Sequence, residues 1–154
     1  MIPYDEHTEK QLEILRIITW AMMIVGPLVY LIIATTMDPS KISAKAGNDV
    51  LVYMFIAVSL SVLIVAGPIV IRSQIKGYRR GDPQGRSPAQ FFMNLGIIQM
   101  AFVEAVYIYG FVAFLLTGKI INMLYFYPIG IIGSYFYWPR RGKYEQLLEK
   151  LNEP

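Results

Sequence analysis

Four long apolar blocks, each close to the length of a bilayer-crossing helix, constrain this chain more than any other feature. They run from about Ile14 to Thr36, Val50 to Ile71, Phe91 to Thr117 and Ile120 to Trp138. A helix needs about 20 apolar residues to cross ~30 Å of hydrocarbon. None of the blocks carries the polar face of an amphipathic soluble helix. In a chain of 154 residues, four such blocks leave no room for a separate soluble domain. The expected fold is therefore all-α, a four-helix transmembrane bundle forming a single integral membrane domain over residues 1–154. A hydrophobic content of 55% with 16% charged residues agrees with this.

Two absences narrow the chemistry. The chain has no cysteine, which excludes disulfides, thiolate catalysis and iron–sulfur ligation, and its one histidine, His7, precedes the first block. A bis-histidine haem within the chain and a histidine-based intramembrane metal site are thus excluded. No Gly-rich phosphate loop, nucleophile–base pair or metal-ligand spacing is present, so no cofactor and no enzyme activity are expected. The net charge of +3 comes from lysines and arginines that flank apolar blocks. Topology and anionic lipid account for these better than nucleic acid does.

The basic residues also set an orientation. Eleven lie in the N-terminal segment, the central stretch 72–88 and the C-terminal tail; three (Lys41, Lys45 and Lys119) lie in the other two connections. The positive-inside rule then puts both termini and the 72–88 loop in the cytoplasm, with Trp20, Tyr135, Tyr137 and Trp138 near that interface. A multi-pass location follows, in the cytoplasmic (inner) membrane if the source is prokaryotic. The first block is too long for a signal-peptide core and follows an acidic segment, so it is expected to be a retained helix. Thr8 and Gln11 have capping-box spacing, and Ser87 can cap a third helix with Pro88 in its first turn. Residues 142–152 form a short amphipathic tail. Gly26-Pro27, Gly67-Pro68 and Pro128-x-Gly130 put helix breakers inside three spans, where bending and close packing are their commonest use.

Glu104 is the one acidic residue inside an apolar block. An ionisable group at that depth costs roughly 2.5–3.5 kcal/mol on insertion scales, so it is expected to have a partner or a task. Ile97, Met100, Ala101, Tyr107, Ile108 and Phe111 share its helix face. Ala101 and Ala105 would let a neighbouring helix approach there, either the chain's own second span or another copy. An antiparallel second span would bring Ser59 and Ser61 to the depth of Glu104, with Tyr107 one turn away. Two roles stay open. Glu104, helped by Ser59, Ser61 and Tyr107, binds or passes H⁺ or Na⁺; or it stays protonated and serves as an interhelical hydrogen-bonding residue in an accessory subunit.

The run Glu104-Ala-Val-Tyr107-Ile-Tyr-Gly110-Phe-Val112, preceded by Arg80-Gly-Asp82-Pro83-Gln84, resembles the acid-bearing hairpin of rotary ATPase membrane ring subunits, the c subunit or proteolipid family. The resemblance covers about residues 50–118 and implies Glu104 as the ion-binding carboxylate of an oligomeric or complex-bound subunit. It departs from that family in the second span, which has one late glycine in place of a glycine-rich helix. Arg79, Arg80, Arg140 and Arg141 are candidates for anionic lipid headgroups, although enforcing topology is the commoner use of such pairs. The expected surroundings are the bilayer, a second copy or other membrane subunits, and no nucleic acid.

Overall fold

The computed structural model describes residues 6–37, 49–79, 81 and 84–152, and these are helical with short connections and no strand. Helix α1 covers Glu6–Thr36. The second span is α2 (Asp49–Ser61), a π-helical turn (Val62–Ala66) and α3 (Gly67–Arg79), continuous with one another. Helix α4 covers Pro88–Thr117. The fourth span is α5 (Ile120–Leu124) and α6 (Phe126–Tyr137), and α7 (Arg141–Asn152) follows as the tail. Four of these units are long and apolar enough to cross a membrane.

Two boundaries differ from the sequence expectation. Thr8 lies inside α1, which already runs from Glu6. The polar stretch from Arg72 continues as helix to Arg79, which shortens the expected 72–88 loop. The reason is a buried face that the surface charges conceal. Ile71, Ile75 and Tyr78 pack on Phe91 and Leu95 of α4 and on Leu147 and Leu151 of α7. Helix α4 starts where the sequence indicates. The Ser87 hydroxyl accepts from the Gln90 N–H at 3.3 Å, while the Gln90 side chain accepts from the Ser87 N–H at 3.0 Å. It ends at Gly118, whose φ of 67° is the left-handed conformation that glycine adopts without strain.

Helix α4 is the centre of the molecule, with different neighbours on its packed sides and one side open. Val106, Tyr109 and Ala113 face Val52, Phe55 and Ile56 of α2. Met100, Val103 and Tyr107 meet Met22 and Tyr30 of α1 together with Tyr127 and Tyr137 of α6. Ile97, Ala101 and Ile108 stay exposed. The helices close on one another through glycines. A Cβ on Gly96 would meet the Leu15 side chain at 2.6 Å, one on Gly110 would meet Phe126 at 2.9 Å, and one on Gly130 would meet the Tyr107 ring at 2.3 Å. Small residues thus act as sockets for large side chains, the usual basis of close helix approach in an apolar solvent.

The prolines mark where helical bonding changes. Pro128 has no N–H for the carbonyl four residues back, that of Leu124, and α5 gives way to α6 at Tyr125. The π-helical turn precedes Pro68. Gly67 N–H bonds the Val62 carbonyl, five residues back. The next bond of that series would need a proton on the Pro68 nitrogen, so the Leu63 carbonyl loses its donor. The Tyr137 hydroxyl supplies one at 2.6 Å, and it reaches that carbonyl over Gly67, where a Cβ would stand 2.4 Å from it. The Gly-Pro pair and Tyr137 act together: one opens the backbone, the other closes the hydrogen bond.

Candidate functional site

Glu104 lies midway along α4 and is half-buried. Its carboxylate rests on α1. A Cβ on Gly26 would stand 2.6 Å and 2.8 Å from its two oxygens, so only glycine leaves room for the acid there. Four residues on, along the same side of α1, the Tyr30 hydroxyl donates to Glu104 Oε1 at 2.9 Å. The Tyr30 ring is fixed by stacking on Phe111 at 5.4 Å between centroids. The preceding sequence supplies a third feature: Pro27 follows Gly26, and its carbonyl accepts from the Tyr127 hydroxyl of α6 at 2.6 Å. Glycine, proline and tyrosine within five residues of α1 thus hold both the acid of α4 and a phenol of α6.

Among the described residues, Tyr30 provides the one hydrogen bond to Glu104, and no cationic side chain pairs with it. The acid face is covered by the first span and not by the second. Helix α2 packs on Val106, Tyr109 and Ala113, about 180° around α4 from Glu104. Accordingly, Ser59 is buried but donates to its own helix, to the Phe55 carbonyl at 2.8 Å. Ser61 is exposed and donates to the Ala57 carbonyl at 2.8 Å. The structure does not gather either serine at the acid. Tyr107 is buried on the neighbouring side of α4, where its ring fills the space above Gly130 and its hydroxyl meets Ser134. Of the residues expected to share the acid's face, Met100, Tyr107 and Phe111 are packed. Ile97, Ala101 and Ile108 form an open strip beside it. Ala101 makes no close helix approach within the chain; the small residue that admits a neighbouring helix of the same chain is Gly26.

Gly26 and Tyr30 are the site residues that reasoning from the sequence misses. Their signal is a glycine one turn before an aromatic donor, next to a proline, at the level of the lone acid. A carboxyl group with one phenol donor can fasten two helices or exchange a proton at the edge of the bundle. Among the described residues, the Tyr30 hydroxyl is the one oxygen hydrogen-bonded to it.

The basic candidates divide as well. The Arg141 guanidinium pairs with Glu145 at 3.1 Å on the exposed side of α7. Arg140 lies over the Tyr135 ring at 4.8 Å. Arg79 is exposed at the end of α3, and Arg80 lies outside the described residues. Trp20 and Trp138 meet edge-to-face at 5.3 Å, which sets the ends of the first and fourth spans at one level. Comparison of the chain with known protein families, characterised proteins and solved structures gave no match.

Proposed function

We propose that this is a multi-pass membrane protein of the accessory or structural class, in which Glu104 fastens the first span to the third. One observation carries the reading: among the described residues the carboxyl group has a single interhelical hydrogen-bond partner, Tyr30, and a glycine seat. Interhelical polar bonds of this kind are worth about 0.6–1.7 kcal/mol in a membrane, enough to fix the register of two helices. In this reading both termini face the cytoplasm, as the basic residues favour, and the protein acts through contacts with lipid, further copies or other membrane subunits.

A second reading keeps Glu104 as a site for H⁺ or Na⁺ in a rotor-like subunit. Its support is that the acid is half-exposed beside the open strip of Ile97, Ala101 and Ile108, together with the resemblance of residues 50–118 to ring subunits. Glu104→Gln and an apolar carbodiimide separate the two, because that reagent attacks a protonated carboxyl group in an apolar setting. As a fastener, Glu104 gives labelling that Na⁺ does not alter, and Glu104→Gln keeps its fold and its oligomer distribution. Suppression of labelling by Na⁺ in the wild type would overturn the fastener reading in favour of a cation site, and labelling that falls with rising pH whether or not Na⁺ is present would overturn it in favour of a proton site.

A further inference from the structure

At the end of the bundle that holds α7, a cavity of about 250 Å³ lies between the tail and the spans. Its walls are apolar where α1, α3 and α4 supply them, through Leu15, Ile71, Ile75 and Leu95. Its rim is polar and basic, made by Gln99 of α4 and by Lys143, Gln146 and Lys150 of α7. The tail presents these three at intervals of three and four residues, so they share one helix face. Glu145 and Glu149 fall to one side of that face, and Glu145 is already paired with Arg141. Among the described residues no carboxylate lines the cavity.

Lys143 shows that the rim has unmet charge. The side chain is half-buried, and among the described residues its ammonium has one partner, the carbonyl of Phe136. Burial first, and then the nearby Arg140, push its pKa below the ordinary lysine value. A desolvated cation beside another cation is relieved by an anion.

A second hollow, a groove of about 500 Å³, adjoins the first. It is lined by Leu60, Ile64 and Pro68 of the second span and by Ile129, Ile132 and Gly133 of the fourth. Phe136 and Tyr137 border both hollows. One is basic at the rim and the other wholly apolar in its walls, and they meet along two side chains. Each alone would accept many things. Side by side, they match a single molecule with a negative head and a long hydrocarbon tail.

We infer that the cavity and the groove form one binding site for an anionic diacyl phospholipid. The phosphate-bearing head lies at Lys143 and Lys150, with Gln99 and Gln146 as hydrogen-bonding neighbours, and one acyl chain runs past Phe136 into the groove between the second and fourth spans. The site's lining differs from the arginine pair of the fourth span's end, where Arg140 lies over Tyr135 and Arg141 pairs with Glu145. It is also independent of Glu104, so it stands whichever role that residue has.

The test uses the full chain in phosphatidylcholine vesicles and phospholipids with brominated acyl chains, which quench tryptophan on contact. Trp20 and Trp138 are the reporters, and Trp138 adjoins the cavity-lining Tyr137 and Pro139. Brominated phosphatidylglycerol should quench at a lower mole fraction than brominated phosphatidylcholine. A charge near a membrane surface contributes such that each lysine removed should weaken this preference roughly fivefold. Lys150→Gln is exposed and safe for folding, and Lys143→Gln keeps a donor for the Phe136 carbonyl. Equal quenching by the two lipids would overturn the site, as would an unchanged preference in both variants. Displacement of the brominated lipid by soluble glycerol phosphate would assign the rim to a free phosphate and refute the acyl half of the site.

Discussion

Gly26→Ala tests the seat of Glu104, and its outcome depends on what stands opposite. The added Cβ would lie 2.6 Å and 2.8 Å from the carboxylate oxygens and 3.0 Å from the carboxyl carbon. Something must move, and the flexible acid is easier to displace than either helix. Displacement breaks the 2.9 Å bond from Tyr30, a loss of about 0.6–1.7 kcal/mol. Residual overpacking adds about 1–3 kcal/mol. Against this, alanine in a helix interior gains up to about 1 kcal/mol over glycine. The net expectation is a loss of about 0.5–4 kcal/mol in the wild type. In a Glu104→Ala background the obstruction is gone, and the same substitution should stabilise by about 0.5–1 kcal/mol. Reversible unfolding in mixed detergent micelles, run as a double-mutant cycle, measures this change of sign. If Gly26→Ala had the same effect in both backgrounds, the carboxylate would not rest on Gly26 and the fastener would lose its basis.

Two further expectations rest on other features. Tyr137→Phe leaves the Leu63 carbonyl without a donor and should cost about 1–3 kcal/mol. Tyr127→Phe should cost less, because the Pro27 carbonyl lies inside a continuous helix; equal costs in the same unfolding assay would refute the role given to Pro68. Reporter fusions after Arg86 and at the C-terminus should both read cytoplasmic and one near Lys45 external; a cytoplasmic signal at Lys45 would reverse the orientation.

The parts of the fold that one segment determines by itself were legible in the sequence. Apolar length gave the four long helices, and the local chemistry of Ser87, Pro88 and Gly118 gave both ends of α4. Glu104 stood out because no other acid lies within the blocks. Its partner did not, because adjacency along the chain says little about which face of a central helix each neighbour takes. The second span does pack on α4, but on the side of Val106 and Ala113, which leaves the acid to Gly26 and Tyr30. Ser59 and Ser61 looked available as ligands since sequence alone does not show a hydroxyl turning back to the carbonyl four residues before it. The arginines of 72–88 suggested a loop, whereas Ile75 and Tyr78 between them, with Ile71 just before, had a helix and a tail to pack against.

The π-helical turn makes the second span a matter of counting. On a straight α-helix at about 100° per residue, Val52, Phe55, Ile56 and Ser59 fall on one stripe, and Ile71, Ile75 and Tyr78 fall on another about 100° around from it. Both stripes nonetheless face α4, the first at Val106 and Ala113 and the second at Phe91 and Leu95. The wide turn at Val62–Ala66 absorbs one surplus residue and brings the two stripes into line. Loss of a single residue there would let the backbone relax to an ordinary helix with Ile71, Ile75 and Tyr78 still directed at α4 and α7, whereas loss of a second would swing them about 100° away. The segment therefore carries one residue in reserve: its register survives a single deletion at the turn and fails at the second.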